Sequence, residues 1–427
     1  MARWVLQKAK NMGCLEDVPE VLRVGSLCSG MGTDAIALAA VEKAWQTLGL
    51  RPDLKFKHEF FCEISTQKCD VLKESFPEVP HIFRDVGHMG RQTAMCYKCG
   101  EVHEVPSRLD VLIAGFSCKS VSSLNNAKKS ITDRSGSTGE TLSGLLKYAK
   151  EHKPRLMILE NVMGIIHKQA GAENMMVILK RMLKARGYHG GYAAVNSRNY
   201  LLPQSRHRVW MWFVRTNDAT FYPKAVATMK AFSQDKHFEL EPLVNLKTTA
   251  KMASRCPASE KKIKYSETHD EFAKAHGLRE LDSVHKRNEA CQKNPQIARL
   301  ALTQRMKHGL ILKLAHLRKN GHDPDTAAWV LQLDQDVHRM PTQRKVTPCI
   351  TPRGLYFITN QHKIMTGIDV ACAQGLTPAD LRRLKMHDVE DSLLRDCVGN
   401  AFSLPVAIIS IVAAFQDLGS TSKEGDD

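Results

Sequence analysis

Residues 22–49 read LRVGSLCSGMGTDAIALAAVEKAWQTLG, and the way this stretch folds decides the rest of the chain. It opens on a short apolar run, LRVGSLC (22–28), whose continuous apolar character fits a strand buried on both faces. Glycines at 30 and 32 follow, and a helix-period pattern then covers 34–49. The same rhythm repeats outward. Strand-like runs stand at HEFFC (58–62), HIFRD (81–85), LDVLIAG (109–115), RLMILE (155–160), GYAAVN (191–196) and RVWMWFV (208–214), with helical patterns at 65–75, 140–151 and 173–186. Strand, helix, strand at this spacing predicts an α/β fold: a doubly wound, mostly parallel sheet covered on both faces.

The remaining chain follows a different rhythm. From 216 to 345 it is polar, charged and irregular, and reads as a smaller second domain inserted between a first part (1–215) and a return (346–418). SLPVAIISIVAAF (403–415) reads as an apolar helix, with Ser403 as N-cap and Pro405 in the first turn. GSTSKEGDD (419–427) reads as a disordered tail. At 427 residues and 43% hydrophobic content the chain can bury a large core. No secretory signal opens it, and no run approaches the roughly 18 apolar residues of a membrane helix, so a soluble protein without a membrane partner is expected. Twelve cysteines without framework spacing predict reduced thiols in an intracellular compartment.

A net charge of +16 favours a polyanionic partner, though a solvated basic surface would give the same number. Half of that excess lies between His285 and Asn320, where Lys286, Arg287, Lys293, Arg299, Arg305, Lys307, Lys313, Arg318 and Lys319 face Glu289 alone. Ile297, Leu300, Ala301, Leu310, Leu314 and Leu317 recur there at helical spacing. A basic helical surface of this kind suits a phosphate backbone.

In a doubly wound sheet, ligands bind at the carboxyl ends of the strands. After the first strand, Ser29-Gly30-Met31-Gly32 makes a turn that lets a ligand approach the backbone. After the second stands Glu63, placed for ribose hydroxyls, then Ile64; after the third stands Asp85, suited to an adenine amino group, then Val86. Each acid would serve equally as a helix cap; together they describe a nucleoside-bearing cofactor. After the fourth comes Cys118, in IAGFSCKSVSS (113–123), at the exit of the apolar run rather than inside it. Glu160-Asn161-Val162 follow the fifth, and NYLLPQSRHRVW (199–210) offers Gln204, Arg206 and Arg208. A thiol, an acid and a guanidinium in one crevice can attack, protonate and orient a planar polar substrate.

Taken in order, GSLCSGMG, CEI, RDV, GFSC, ENV, QSRHR and VGNAFSLPVA resemble the motif series of the DNA cytosine-5 methyltransferases, over residues 22 to 415. The resemblance implies a Rossmann-like methyltransferase fold with a target-recognition domain at 216–345. It implies S-adenosyl-L-methionine as cofactor, bound by Ser29, Gly30, Met31, Gly32, Glu63, Ile64, Asp85, Val86, Asn400 and Ala401. It implies double-stranded DNA as partner, with a cytosine flipped out of the stack and phosphate contacts from the basic insert. Cys118 would add to carbon 6 of that base, Glu160 would hold its N3, and Arg206 would contact its carbonyl. Ser117, Asn161, Val162, Gln204 and Arg208 would line the substrate site.

The chain departs from the family pattern in places. Ser117-Cys118-Lys119 replaces Pro-Cys-Gln, which frees a φ angle and restores an N–H; Lys119, if turned inward, would lower the thiol pKa. Cys28 stands where the first motif has an aromatic residue, and Ser26 where it has an acid. Thr366-Gly367-Ile368-Asp369 lacks the arginine of Thr-x-Arg-Glu, with Arg353 as a substitute. Two rivals stay open: an RNA methyltransferase on the same fold, and a catalytically impaired homologue that binds DNA or a protein. About 20 residues precede the first motif, so no large regulatory module is expected. KKIK (261–264) reads as a nuclear signal or a solvated turn, and the location expected is intracellular, nuclear in a eukaryote. Cys96 and Cys99 in CYKCGEVH (96–103) have zinc-knuckle spacing with His103 as a third ligand, but no second pair follows. A surface loop with two free thiols and no metal is the expectation.

Overall fold

A computed structural model describes residues 1–12, 20–50, 54–122, 129–167, 173–235, 238–240 and 265–418. KKIK (261–264) and the tail 419–427 lie outside the described residues. The strands, in chain order, are β1 (Val21–Leu27), β2 (Lys55–Cys62), β3 (His81–Phe83), β4 (Thr93–Met95), β5 (Val102–Glu104), β6 (Val111–Ala114), β7 (Leu156–Val162), β8 (Tyr188–Asn196) and β9 (His207–Arg215). A second set comprises β10 (Trp329–Gln332), β11 (Thr342–Arg344), β12 (Tyr356–Ile358) and β13 (Lys363–Ile364). Helices α1 (Ala2–Asn11), α2 (Thr33–Thr47), α3 (Thr66–Ser75), α4 (Ser137–His152), α5 (Met175–Lys184) and α6 (Lys224–Ala231) belong to the larger body.

Seven strands form the central sheet in the order β3-β2-β1-β6-β7-β9-β8. Six of them point the same way, and β9 alone is reversed, antiparallel to both of its neighbours. The doubly wound, mostly parallel sheet read from the sequence is therefore the fold observed. β1, β6 and β7 bury nearly every side chain, which is why they appear as unbroken apolar runs. β2 begins at Lys55, before the apolar signal, because its first residues pair with the more open start of β1 (Val21↔Lys55).

One face of the sheet is covered by α1, α2, α3, α6 and the helix Leu404–Leu418; the other is covered by α4 and α5. The apolar helix at 404–418 lies in the core against α2 and α6, buried over most of its length. The Trp212 indole N–H donates to Ser410 O at 3.2 Å. Asp417, at its far end, accepts from the first two amides of α6 at 2.9 and 3.1 Å. α6 is thereby fixed to the larger body, although it lies within the 216–345 segment.

The smaller body has its own apolar core around Phe272, Leu310, Leu331, Met340, Phe357 and Ile364. Its antiparallel sheet runs β11-β10-β12-β13, so it crosses the boundary drawn at 345 and takes in β12 and β13. Pairing between strands far apart in sequence, not composition, sets this limit. The basic stretch 285–320 also reads differently in three dimensions. Arg287 is fully buried on Asp270 (2.7 Å) and Leu281 O (2.8 Å). Lys313 covers the Phe272 ring at 4.8 Å, and Arg305 donates to the Asp334 and Gln335 carbonyls. Lys286, Lys293 and Arg318 pair with Asp282, Glu289 and Asp325. Much of the expected phosphate-binding charge is engaged within the fold.

Candidate active site

The carboxyl edge of the parallel strands gathers most of the residues singled out. β1 ends in a loop where Cys28, Gly30 and Gly32 all have positive φ (55°, 59° and 75°) before α2 begins. Ser29 stitches the loop to β2: its N–H donates to Cys62 O at 3.0 Å, and its Oγ accepts from Cys62 N at 3.0 Å. The Glu63 carboxylate accepts from Gly30 N and Ser65 N, both at 2.9 Å. A side chain at Gly32 would strike Phe76 at 2.6 Å, whereas at Gly30 it would meet nothing within 4 Å. The loop therefore has one packed and one open flank. Ile64 is 67% exposed, an unusual position for an isoleucine beside buried neighbours. Asp85 accepts from Gly87 N at 2.7 Å and so caps a short 3-10 turn. Met31 and Val86 are buried in the core. Asn400 donates to Asp396 O of its own helix, and Ala401 O accepts from Arg206 and Gln374.

Beyond β6, the loop carrying Cys118 is held from two sides. The first turn of α4 supplies Thr141 Oγ1 to Ser117 N (3.1 Å), Ser137 Oγ to Ser117 Oγ (3.0 Å) and Thr138 Oγ1 to Ser120 N (2.9 Å). From β7, Asn161 Nδ2 donates to Phe116 O at 3.0 Å. These bonds do what a proline before the nucleophile does by fixing φ. Ser117 and Asn161, expected on the substrate, are thus spent on the loop, and Val162 extends β7 opposite Arg208. Cys118 itself is partly exposed.

Because β9 is antiparallel, its first residues return to the carboxyl edge, with Arg208 directly across from Val162. Arg208 Nε meets Glu160 Oε1 at 2.9 Å, and both side chains are largely buried. Arg206, two residues earlier, is turned elsewhere: its guanidinium donates to Ile350 O (2.6 Å) and Ala401 O (3.1 Å). Gln204 is fully buried on Gln374 Oε1 (2.8 Å) and Ala373 O (3.2 Å). The guanidinium paired with Glu160 is therefore Arg208 and not the Arg206 singled out from the sequence, while Arg206 and Gln204 tie the C-terminal segment to the sheet. Burial raises the Cys118 thiol above its ordinary 9.0; Arg208 pulls it back, Glu160 adds to the rise, and Arg206 opposes it. Lys119 is exposed. Arg353 pairs with Asp396 at 3.5 Å, and Thr366 and Asp369 form a capping box, so neither completes this group.

The family model for C-5 cytosine-specific DNA methylases matches residues 22–414. The chain belongs to this family. Over 422 residues it is 26% identical to the DNA (cytosine-5-)-methyltransferase DMT5 of Cryptococcus neoformans, an overlap of 92% of this chain and 17% of that protein. It is 24% identical over 478 residues to DMT5 of Verticillium dahliae, covering 94% of this chain and 20% of that one. The chain spans a fifth or less of the length of these curated relatives. Its fold resembles the Entamoeba histolytica methyltransferase EhMeth (TM-score 0.51, 12% identity, 93% of this chain and 98% of that one). It also resembles a putative DNA modification methyltransferase of an Escherichia coli prophage (TM-score 0.52, 15% identity, 93% and 99%).

In this methylase-family chain, one residue at the site escaped the sequence reading. Cys349 Sγ lies 3.8 Å from Arg208 and 3.9 Å from Arg206. Burial works against its ionisation, yet the two guanidiniums hold its thiol below the ordinary range. Nothing local marks it, since TPCITPRG carries no strand-end signal. By contrast, burial pushes Cys28, beside the Ser117 backbone, up to about 12, which keeps it a protonated thiol. A surface cavity lined by Lys150, Lys153, Arg186 and Arg215 lies at the opposite edge of the sheet and holds none of these groups.

Proposed function

We propose that this chain is a cytosine-5 methyltransferase acting on double-stranded DNA, with Cys118 as nucleophile and S-adenosyl-L-methionine as methyl donor. The observation that carries the reading is the meeting of Glu160 and Arg208 at 2.9 Å beside a thiol held on a braced loop. The donor's residues fit it. Gly30 leaves an open flank, Ile64 offers an exposed apolar face, and Glu63 and Asp85 stand at the ends of adjacent parallel strands. Glu63 would receive the ribose, Ile64 the face of the base, and Asp85 its amino group; the bound donor would supply an electrophilic methyl.

The protein's own part follows from the geometry. A stacked cytosine cannot reach Cys118, so the base leaves the duplex, at a cost of a few kcal/mol. The Cys118 thiolate adds to carbon 6, which moves electron density to carbon 5 and charge to the ring's N3 and carbonyl. Glu160, carrying a proton, would donate to N3, and Arg208 would meet the carbonyl while keeping Glu160 oriented. Once carbon 5 carries the methyl group, loss of its proton expels the thiolate by breaking the carbon–sulfur bond, and Cys118 is regenerated.

Duplex DNA carrying 5-fluorocytosine tests this, because fluorine cannot leave as a proton does. With the methyl donor present, a covalent adduct should survive a denaturing gel and vanish in Cys118→Ala. An adduct that persists in Cys118→Ala and is lost in Cys349→Ser would reassign the nucleophile. Trapping on substituted RNA but not on DNA would reassign the substrate.

A further inference from the structure

We propose that the β4–β5 hairpin and the edge strand β3 form a tetrahedral zinc site, with Cys96, Cys99, His81 and His103 as ligands. The hairpin tip is CYKCG, residues 96–100, and its turn is tight: Gly100, at φ +80°, donates to Cys96 O at 2.9 Å, while Cys96 N donates to Glu101 O at 2.8 Å. The turn carries two thiols three residues apart, Cys96 buried and Cys99 exposed. The return strand brings His103, paired with Ala94. A backbone bridge between Cys96 and Phe83, with Tyr97 N donating to Ile82 O at 2.6 Å, docks the tip on β3. That docking supplies the fourth group, since His81 lies two residues before Phe83 and so faces the same way.

The donors converge. Ligand atoms of His81, Cys96 and His103 lie within 4.8 Å of one another, the two imidazoles are 4.6 Å apart by ring centre, and Cys99 Sγ stands 3.0 Å from His103 Nε2. His103 belongs to both halves of the cluster. In a tetrahedral site with two sulfurs and two nitrogens, donors sit about 3.3–3.8 Å apart, so the exposed Cys99 side chain has to swing inward about His103 to complete the set around the triad. A second observation points the same way. His81 Nδ1 is buried and makes no hydrogen bond, and the Cys96 side chain is fully buried; a buried imidazole nitrogen with no partner is costly. Two thiolates would neutralise a divalent ion, and the S2N2 donor set selects zinc over the hard cations. The second cysteine–histidine pair that the sequence lacked is completed by a strand that precedes the first. Glu101, 4.0 Å from His103 and 76% exposed, lies at the rim of the group.

The test is metal analysis of the whole chain, purified without chelators or a metal-affinity step. About one zinc per chain is expected, and cobalt exchange should give the visible spectrum of a tetrahedral ion with two thiolates. Cys99 is exposed, so Cys99→Ala should fold with an unchanged circular dichroism spectrum while its zinc falls at least tenfold; His81→Ala should lose metal likewise. Zinc below about 0.1 per chain with no cobalt spectrum would overturn the proposal. So would stoichiometric zinc retained in folded Cys99→Ala and His81→Ala. Should the substituted chains not fold, the cobalt spectrum of the unsubstituted chain decides.

Discussion

Cys118 and the pair Cys96 and Cys99 occupy similar places, on loops just past the end of a short strand, yet their neighbours differ in kind. The charges acting on Cys118 are Arg208, Glu160 and Arg206, and its loop is braced by backbone-directed bonds from α4 and β7. The hairpin thiols instead meet imidazoles, His103 at 3.0 Å from Cys99 and His81 within the Cys96 group. A thiol beside a guanidinium and a carboxylate has a cation to offset its own charge and an acid to serve its substrate. Thiols beside imidazoles have the opposite endowment. One residue type thus serves two chemistries, and the surroundings choose between them.

The comparison breaks most sharply at Cys118. Cys118→Ala should lower methyl transfer by about a thousandfold or more while leaving the zinc content and melting temperature of the protein unchanged; a parallel loss of metal would show that the two cysteine sites are one system. Next in size is Arg208→Ala, which leaves Glu160 buried without its partner. It should cost about 3–5 kcal/mol in denaturant unfolding and shift the pH–rate profile upward, with Arg208→Lys recovering part of both. An unchanged profile would mean that Arg208 only braces Glu160. In the unsubstituted protein, burial already holds the Cys118 thiol above 9.0. Only the thiolate attacks, so the rate of covalent trapping should climb about tenfold per pH unit through the neutral range and level off only above the ordinary thiol value. A plateau below the ordinary thiol value would point to the lower-lying Cys349 thiol instead. Smallest is Asn161→Ala, which removes the donor to Phe116 O. It should cost about 1–3 kcal/mol of stability and reduce kcat, with little change in KM for the methyl donor.

Much of this molecule was legible before any coordinates. The apolar runs fell on the strands of the central sheet, and the positions after them proved to be one edge, because parallel strands joined by helices all end on the same side. Cys118 and Glu160 could be placed by that rule alone. Asp85 shows that one acid at a strand end can fill both readings, since one of its oxygens caps a turn through Gly87 N. Arg206 and Arg208 show the limit of the rule. Both lie in QSRHR, two residues apart, and no local pattern distinguishes them; the register of an antiparallel strand sets one on Glu160 and the other on carbonyls from residues 350 and 401.

The sequence by itself determined the sheet, the order of its helices and the edge where chemistry is concentrated, since periodicity and turn chemistry are short-range properties of the chain. Only the tertiary structure decided which partner each polar side chain meets. The charge excess between 285 and 320 counted against Glu289 alone, yet it is largely spent on Asp270, Asp282, Asp325 and backbone carbonyls, most of them outside that window. The hairpin thiols showed two ligands and a third, while the fourth, His81, waited on a strand 15 residues earlier. Hydrogen bonds, ion pairs and metal ligation act over a few ångströms in space, with no regard for distance along the chain, so they are settled only when the strands have taken their register.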